Sequence, residues 1–235
     1  MTAEGPSHYP GKELEAMSSA DNYRRWIVAT FAPYLGKRVA EVGAGIGSVS
    51  RLLLEEPIEH LAAFEPSANM FPHLAAAVGG DARARAVQGF FDGAQAGHGY
   101  DSVLYVNVLE HVEHEREELA AAHASLRPGG HLLVFVPALA WLYSDFDREV
   151  GHFRRYSKDA LERVVEHAGF EVVDSRWFDV AGIVPWYVHF TLLGRSMGRG
   201  GVSLYDRVVV PPMRAIERLA PPPVGKNVAL VARRN

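Results

Sequence analysis

Residues 37–48 read Lys-Arg-Val-Ala-Glu-Val-Gly-Ala-Gly-Ile-Gly-Ser, an apolar run that passes directly into a glycine-rich turn. The spacing predicts a β-strand over residues 37–42 and a helix over residues 48–56. Glycines at 43, 45 and 47 allow a sharp turn and let a ligand approach the backbone more closely than a Cβ would permit. This stretch therefore predicts a strand–loop–helix unit that binds a ligand at the loop.

Strand-like and helix-like segments alternate through most of the chain. The predicted strands are residues 37–42, 60–64, 83–88, 101–108, 131–136, 171–178 and 227–232, and the predicted helices are residues 21–35, 48–56, 69–78, 113–126 and 157–168. Strands separated by helices pair in parallel through right-handed crossovers, whereas the last two strands lack this rhythm. We therefore expect an α/β fold, a single doubly wound Rossmann-like domain with a mostly parallel seven-stranded sheet and an antiparallel last strand.

One domain is expected over residues 21–235, preceded by a flexible N-terminal arm at residues 1–20. Residues 181–226 interrupt the alternation and hold six prolines and five arginines against two acids. We interpret this segment as a substrate-side insertion that roofs a pocket or forms a subunit contact, with membrane contact less expected. Its prolines argue against one long amphipathic helix.

Composition narrows the function classes. The formal net charge of −4 gives no general basic surface for nucleic acid. The chain has no cysteine, which excludes disulfides, thiolate metal sites and a cysteine nucleophile such as cytosine-C5 methylation requires. The longest apolar stretch, residues 182–194, is shorter than the roughly 20 residues that cross a bilayer. We expect a cytoplasmic monomer or homodimer.

The acidic residues around the glycine turn suggest which ligand binds there. Glu65 ends the second strand, where a carboxylate can accept hydrogen bonds from both ribose hydroxyls of an adenosine. A dinucleotide site requires G-x-G-x-x-G, but the spacing here is G-x-G-x-G, and Ser48 stands where the last glycine would be. Glu41 suits a ligand with a positive ammonium or sulfonium group. These features favour S-adenosylmethionine (SAM) over NAD.

Four segments in order resemble motifs of the class I SAM-dependent methyltransferases. They are residues 41–47, the Glu-Pro-Ser-Ala-Asn-Met run at 65–70, the Asn-Val-Leu-Glu-His-Val run at 107–112 and the Leu-Arg-Pro-Gly-Gly turn at 126–130. The resemblance covers roughly residues 20–178 and returns in the final strand. It is specific for the family but says nothing about the substrate.

The resemblance implies a role for individual residues at the cofactor. Gly43, Gly45 and Gly47 would line the methionine and ribose moieties, Glu65 would hold the ribose, Met70 would pack on the adenine and Asn107 would lie beside the methionine portion. The family often has an acid after the third strand, but residues 88–92 read Gln-Gly-Phe-Phe-Asp. Adenine recognition would then rest on Phe90 or Phe91 and the backbone. A lid role is expected for Tyr23, and core packing for Trp26.

Methyl transfer needs an acceptor held in line with the methyl group, and a hydroxyl acceptor also needs a proton acceptor. His111 follows the fourth strand, at the edge of the sheet where ligands bind. His152 and Tyr156 are further catalytic candidates. Asn107, Glu110, His111 and His114 are also candidate metal ligands, but only the two histidines have helical spacing, so we expect no metal.

Residues 151–156, Gly-His-Phe-Arg-Arg-Tyr, resemble an element of some bacterial small-molecule and envelope-associated methyltransferases. Arg154 and Arg155 would bind an acidic group of the substrate. Alternatively, one arginine pairs with Asp145 or Asp147 and Tyr156 caps the following helix. The other predicted substrate-binding residues are Trp141, Tyr143, Trp186 and Tyr187.

The sequence as a whole predicts a SAM-dependent methyltransferase with a small-molecule acceptor, as in secondary metabolism. O-methylation is favoured over N- or C-methylation, with a histidine as the candidate general base. The expected acceptor is not nucleic acid, because residues 107–110 lack the Pro-Pro-Tyr-type run of amino-methylating DNA enzymes. A non-catalytic SAM-binding scaffold is the first alternative, and an NAD-dependent oxidoreductase is the second.

Overall fold

The computed structural model describes residues 20–92, 99–193 and 199–235. Residues 1–19, which make up nearly all of the predicted N-terminal arm, lie outside this range. The strands are β1 (Arg38–Val42), β2 (His60–Glu65), β3 (Ala84–Gln88), β4 (Tyr100–Val106), β5 (Leu126–Pro137), β6 (Phe170–Phe178) and β7 (Asn227–Arg234). The helices are α1 (Asp21–Phe31), α2 (Ser48–Leu53), α3 (Phe71–Val78), α4 (Glu115–Ser125), α5 (Asp145–Glu149), α6 (Lys158–His167), α7 (Ile183–Trp186), α8 (Arg199–Val208) and α9 (Val210–Leu219).

The strands form one seven-stranded sheet in the order β3-β2-β1-β4-β5-β7-β6. The neighbours from β3 to β5 pair in parallel, and β7 runs antiparallel to both β5 and β6. This topology confirms the predicted fold class, including the antiparallel last strand. The strand order reverses between β1 and β4, so the crevice outside their carboxyl ends is where an open α/β sheet binds ligands.

Apolar layers cover both faces of the sheet. Because successive side chains of a strand alternate between faces, Val103 and Tyr105 join one cluster and Leu104 joins the other. Helices α4 and α6 bury their apolar side chains against the first face. Helices α1 and α2, with the start of α9, cover the second face. The sheet is therefore rigidly held while its carboxyl edge carries the loops.

Two predicted boundaries are corrected by the backbone. Strand β4 ends at Val106 and not at residue 108, because Asn107 takes a left-handed conformation with φ of 53°. Strand β5 begins at Leu126 and not at residue 131, because Leu126 pairs with Tyr100 before a shift in register. The observed strand thus includes the residues of the predicted Pro-Gly-Gly turn.

Short helices make up the described part of the insertion between β6 and β7. Helix α7 continues as a π-helix over Tyr187–Leu192, followed by α8 and α9. Pro211 and Pro212 fall in the first turn of α9, where a missing N–H is tolerated. In the part of the chain that the structure describes, no helix is both long and apolar enough to span a bilayer.

Candidate active site

The glycine-rich loop joins the carboxyl end of β1 to the start of α2. Gly43, Gly45 and Gly47 have φ values of 66°, 57° and 80°, a region that residues with a Cβ rarely adopt. A Cβ added at Gly43 would lie 2.6 Å from Val108 Cγ2. The Ala44 N–H donates to the Phe64 carbonyl at 2.9 Å and ties the loop to β2. The loop therefore requires glycine for its conformation, beside the ends of β1, β2 and β4.

Glu65 ends β2 with its carboxylate against this loop. One carboxylate oxygen accepts from the Gly45 N–H and the other from the Ser67 N–H, both at 2.8 Å. The residue is 5% exposed, so these two bonds fix its orientation. Since a carboxylate offers about four lone-pair positions, two remain for other donors. Glu65 is thus positioned to accept hydrogen bonds from a pair of vicinal hydroxyls.

Glu41, on β1, is a second carboxyl buried below the same loop. It is 3% exposed, and the Ser50 hydroxyl donates to it at 2.5 Å. Burial, with the nearby charge of Glu65, raises the pKa of Glu41 to about 8 despite the Ser50 hydrogen bond. Two buried carboxyls therefore border the glycine loop, and neither is paired with a basic side chain of the described residues.

The other predicted cofactor residues lie around the same edge. Met70 is 9% exposed and immediately precedes α3. Asn107 is exposed at the carboxyl end of β4, with its N–H donating to Phe135 O at 2.8 Å. Phe91 packs in the core with its ring 5.1 Å from that of Phe64, whereas Phe90 is 48% exposed. Of the two phenylalanines, only Phe90 is therefore available to an adenine ring.

Tyr23 corrects the prediction of a lid. Its side chain is buried, and its ring packs edge-on against those of Phe135 and Phe178. Its hydroxyl donates to Asn227 Oδ1 at 3.0 Å. These contacts make Tyr23 part of the core under α1, and Trp26 belongs to the same cluster, as predicted. A tyrosine held by these contacts is not free to fold over a cofactor.

Two of the predicted catalytic residues, His111 and His152, meet beyond the end of β4. Their rings lie 4.6 Å apart in an edge-to-face arrangement. Glu110, which is fully buried, places Oε1 3.9 Å from His152 Nε2. Burial raises the pKa of Glu110 to about 8, and burial together with His152 lowers the pKa of His111 to about 3. At neutral pH the His111 ring is therefore uncharged.

Asp147 of α5 orients His152. Its Oδ1 lies 2.8 Å from His152 Nδ1, and Asp147 also accepts from the Ser144 N–H at 2.9 Å. Burial acts to raise the pKa of Asp147, but its hydrogen bond with His152 and the charge of Arg155 hold it below the usual value. Asp147 thus occupies the Nδ1 side of the His152 ring, and Nε2 lies on the side of Glu110, 3.9 Å from Oε1.

The structure corrects the predicted roles of Arg154 and Arg155 in substrate binding and of Tyr156 in catalysis. The Arg155 side chain is 1% exposed and pairs with Asp147, from Nε to Oδ1 at 2.9 Å. Arg154 pairs with Glu115 at 2.7 Å. Tyr156 is buried and donates its hydroxyl to Glu115, and burial beside this acid raises its pKa. The structure thus supports the alternative in which an arginine pairs with Asp147, and it leaves Tyr156 as a packed side chain and not a base.

The N-cap of helix α6 is not the residue that this alternative named. Its N-cap is Ser157, whose hydroxyl accepts from the Ala160 N–H at 3.2 Å, so Tyr156 does not cap the helix. This assignment matches the N-cap that the sequence predicts.

A mainly apolar cavity of about 410 Å³ lies between the insertion and the start of α1. Its walls include Trp186, Phe190, Tyr205, Tyr23 and Lys226. Among the described residues, the buried indole Nε1 of Trp186 has no hydrogen-bond partner. The insertion thus forms a mainly apolar pocket together with the start of α1.

The remaining predicted substrate residues lie near this pocket but outside its walls. Trp141 is 57% exposed, and its ring centroid lies 5.8 Å from that of Tyr187. The Tyr143 hydroxyl donates to the His152 carbonyl at 2.7 Å. Tyr143 thus supports the loop that carries His152.

Two polar residues of the pocket wall were not predicted from the sequence. Lys226 lies over the rings of Tyr23 and Trp186, and its Nζ is 3.1 Å from Asp179. Asp206 of α8 accepts a hydrogen bond from the Tyr23 N–H at 2.8 Å. Both contacts join segments that are far apart in the sequence, so only the tertiary structure shows them.

The chain matches a protein family along most of its length. The family model described as "Methyltransferase domain" matches residues 18–175. No protein of curated function matches the chain in sequence.

Solved structures of low sequence identity share the fold. A SAM-dependent methyltransferase from Mesorhizobium loti is 16% identical, with a TM-score of 0.63 over 93% of this chain and 100% of that one. A SAM-dependent methyltransferase from Archaeoglobus fulgidus is also 16% identical, with a TM-score of 0.64 over 94% and 98%. The [4+2]-cyclase SpnF is 18% identical, with a TM-score of 0.60 over 91% and 81%. The chain therefore belongs to the methyltransferase-domain family, and it has the fold of SAM-dependent methyltransferases.

Proposed function

We propose that this protein transfers a methyl group from SAM to a hydroxyl oxygen of a small molecule with an apolar body. The observation that carries the proposal is the His111–His152 pair, in which Asp147 orients His152, at the carboxyl edge that also holds the glycine loop. An amine acceptor needs no such base, whereas a hydroxyl acceptor does. The apolar pocket under the insertion supports an acceptor of limited polarity.

The cofactor residues of the proposal follow from the loop geometry. Glu65 would accept from the ribose hydroxyls, Glu41 would compensate the positive charge, and the positive-φ glycines would let the ligand approach the backbone. Met70 and Phe90 would contact the adenine, and Asn107 would lie at the methionine end. When bound, SAM supplies a methyl group on a sulfonium that transfers by in-line displacement.

On the acceptor side, the proposal gives His152 the role of proton acceptor. As the new oxygen–carbon bond forms and the carbon–sulfur bond breaks, the hydroxyl proton passes to His152 Nε2. Asp147 holds the proton on Nδ1 and stabilises the imidazolium that forms, as a carboxylate does in other histidine-based sites. The products are a methyl ether and S-adenosylhomocysteine.

The proposal is tested by the release of S-adenosylhomocysteine across a panel of hydroxylated and amino-substituted small molecules. For an acceptor found in this way, His152→Ala should lower kcat by roughly 100-fold, in the range that general bases contribute, and leave SAM affinity unchanged. His60→Ala is the matched control, because His60 is exposed at the opposite end of β2. Turnover confined to amines, or unchanged in His152→Ala, would remove the histidine base from the account.

Non-catalytic SAM binding is the competing function. It is favoured if SAM binds but no acceptor in the panel yields S-adenosylhomocysteine. The cyclase among the similar structures shows that this fold does not by itself dictate methyl transfer.

A further inference from the structure

Three possible metal ligands converge beyond the end of β4. Glu110 and His111 lie in the single 3-10 turn Leu109–His111, and His152 follows α5. One ligand atom from each of the three lies within 4.8 Å of the others. Sequence spacing pointed to His111 with His114 and favoured no metal, but folding brings in His152 from a distant loop. The Phe153 N–H donates to the Glu110 carbonyl at 2.8 Å and holds this loop against the turn.

The environment of the Glu110 side chain is the second observation that indicates a ligand. Its side chain is fully buried, and in the part of the chain that the structure describes neither carboxyl oxygen forms a hydrogen bond with another residue. The nearest possible partner named above, His152 Nε2, is 3.9 Å from Oε1, which is too far for a hydrogen bond in either protonation state. A buried polar group left in this way costs about 1–3 kcal/mol. A cation among the three side chains would satisfy both oxygens.

Each of the two histidine rings is oriented by a contact outside the cluster. Asp147 holds Nδ1 of His152 at 2.8 Å, and the His111 ring forms a hydrogen bond with the Gly151 backbone. Metal-binding histidines almost always donate their second ring N–H to a carboxylate or a backbone carbonyl, which fixes the ring and leaves the other nitrogen for the ion. Both histidine rings here have such a contact.

We infer that Glu110, His111 and His152 bind a divalent first-row transition-metal ion whose open coordination positions take the acceptor oxygen. Two imidazoles and one carboxylate are a ligand set of zinc and iron sites, whereas Mg²⁺ prefers oxygen ligands alone. A tetrahedral ion with bonds of about 2.0–2.1 Å places its ligands about 3.3 Å apart. The observed spread of up to 4.8 Å therefore requires the side chains to close by rotation around the ion.

This inference rests on the proposed function and changes one role within it. With an ion bound, His152 Nε2 is a ligand and does not accept the proton. A hydroxyl coordinated to a divalent ion loses its proton to solvent at a much lower pH than a free hydroxyl, so the ion makes the alkoxide that attacks the methyl carbon. The acceptor class is then a molecule with an oxygen that can coordinate, such as a phenol or an enol.

The direct test is metal binding to the purified full-length chain, without a polyhistidine tag and stripped with a chelator. Titration with Co²⁺ should give visible absorption at one equivalent, and Zn²⁺ should displace it, whereas Mg²⁺ should not. Glu110→Gln, which keeps the shape of the side chain, should weaken Co²⁺ binding at least 100-fold. His114→Ala is the matched control and should bind as the wild type does, because His114 is exposed outside the cluster.

Binding of S-adenosylhomocysteine by each variant serves as a check on folding and should be unchanged. Wild-type protein that binds neither Co²⁺ nor Zn²⁺, or binding that Glu110→Gln leaves intact, overturns the inference. Methyl transfer by metal-free protein overturns the role of the ion but leaves the proposed function standing. Stoichiometric metal binding without methyl transfer to any hydroxyl acceptor would support the metal site and contradict the proposed function.

Discussion

Glu41 and Glu110 are both buried carboxyls with a pKa raised to about 8, but they differ in what surrounds them. Glu41 accepts a hydrogen bond from Ser50 and lies near the charge of Glu65. Glu110 forms no hydrogen bond with another of the described residues and lies beside two histidines. At the residue scale, the first is suited to a ligand that brings a positive charge, and the second to a metal ion.

Binding of SAM should release a proton from Glu41. Because the folded-state pKa is about 8, Glu41 is largely protonated at pH 7, and a neighbouring cation favours its ionised form. Binding heats measured at pH 7 in phosphate and in Tris should therefore differ. The expected difference is the difference between the ionisation enthalpies of the two buffers, multiplied by a release of up to about one proton. Glu41→Gln should abolish the difference. Equal heats in the two buffers for the wild type would refute this role.

The same carboxyl should make the folded protein less stable as pH rises. In the unfolded chain Glu41 loses its proton near its ordinary pKa, whereas in the folded chain it keeps the proton up to about pH 8. Between these values the native state binds more protons, so the free energy of unfolding contributed by this residue falls with increasing pH. Glu41→Gln should therefore raise Tm more at pH 8 than at pH 5, measured by thermal denaturation without ligand. A gain that is equal at both pH values would contradict the assignment.

At the scale of elements, the segment from α5 to the start of α6 is organised around one side chain. Asp147 accepts from Ser144 and Arg155 and holds His152, so a single carboxylate fixes a helix start, an arginine and the candidate base. Removing its charge leaves the Arg155 guanidinium buried without its counter-ion.

Asp147→Asn should lower the free energy of unfolding by about 3–5 kcal/mol, as expected when one partner of a buried ion pair is removed. Asp145→Asn is the matched control on the same helix. Asp145 pairs with Arg148 at the surface, where such pairs contribute about 0–1 kcal/mol. Urea denaturation of both variants measures the difference. Similar losses in the two variants would show that Asp147 is not the organising residue.

The parts of the site that the sequence predicts are those set by local pattern. The strand, the glycines and Glu65 could be identified because the strand–loop–helix unit and the acid after β2 have a fixed spacing in this fold. The parts that it did not predict depend on contacts between distant segments. No spacing indicates that His152 meets Glu110 or that Tyr23 lies in the core, and the pairing of an arginine with Asp147 is one of two alternatives that the sequence leaves open.

At the scale of the whole molecule, the reversal of strand order beside β1 and β4 puts both sites on one edge of the sheet. The glycine loop and Glu65 follow β1 and β2, and the Glu110–His111–His152 cluster follows β4 and β5. Helices cover both faces of the sheet, and ligands of open α/β sheets bind at this edge. The fold thus puts both candidate sites where we propose that a cofactor and an acceptor meet, while the chemistry depends on the few side chains at the edge.

Calorimetric titration with SAM tests the central claim most directly. We predict saturable binding of one SAM per chain and no binding of NADH. Glu65→Ala should lower the affinity for SAM at least 10-fold, because it removes hydrogen bonds to the ribose. Glu59→Ala is the control, because Glu59 is exposed just before β2, at the opposite edge of the sheet. Absence of SAM binding by the wild type, or an unchanged dissociation constant in a folded Glu65→Ala variant, would contradict the account.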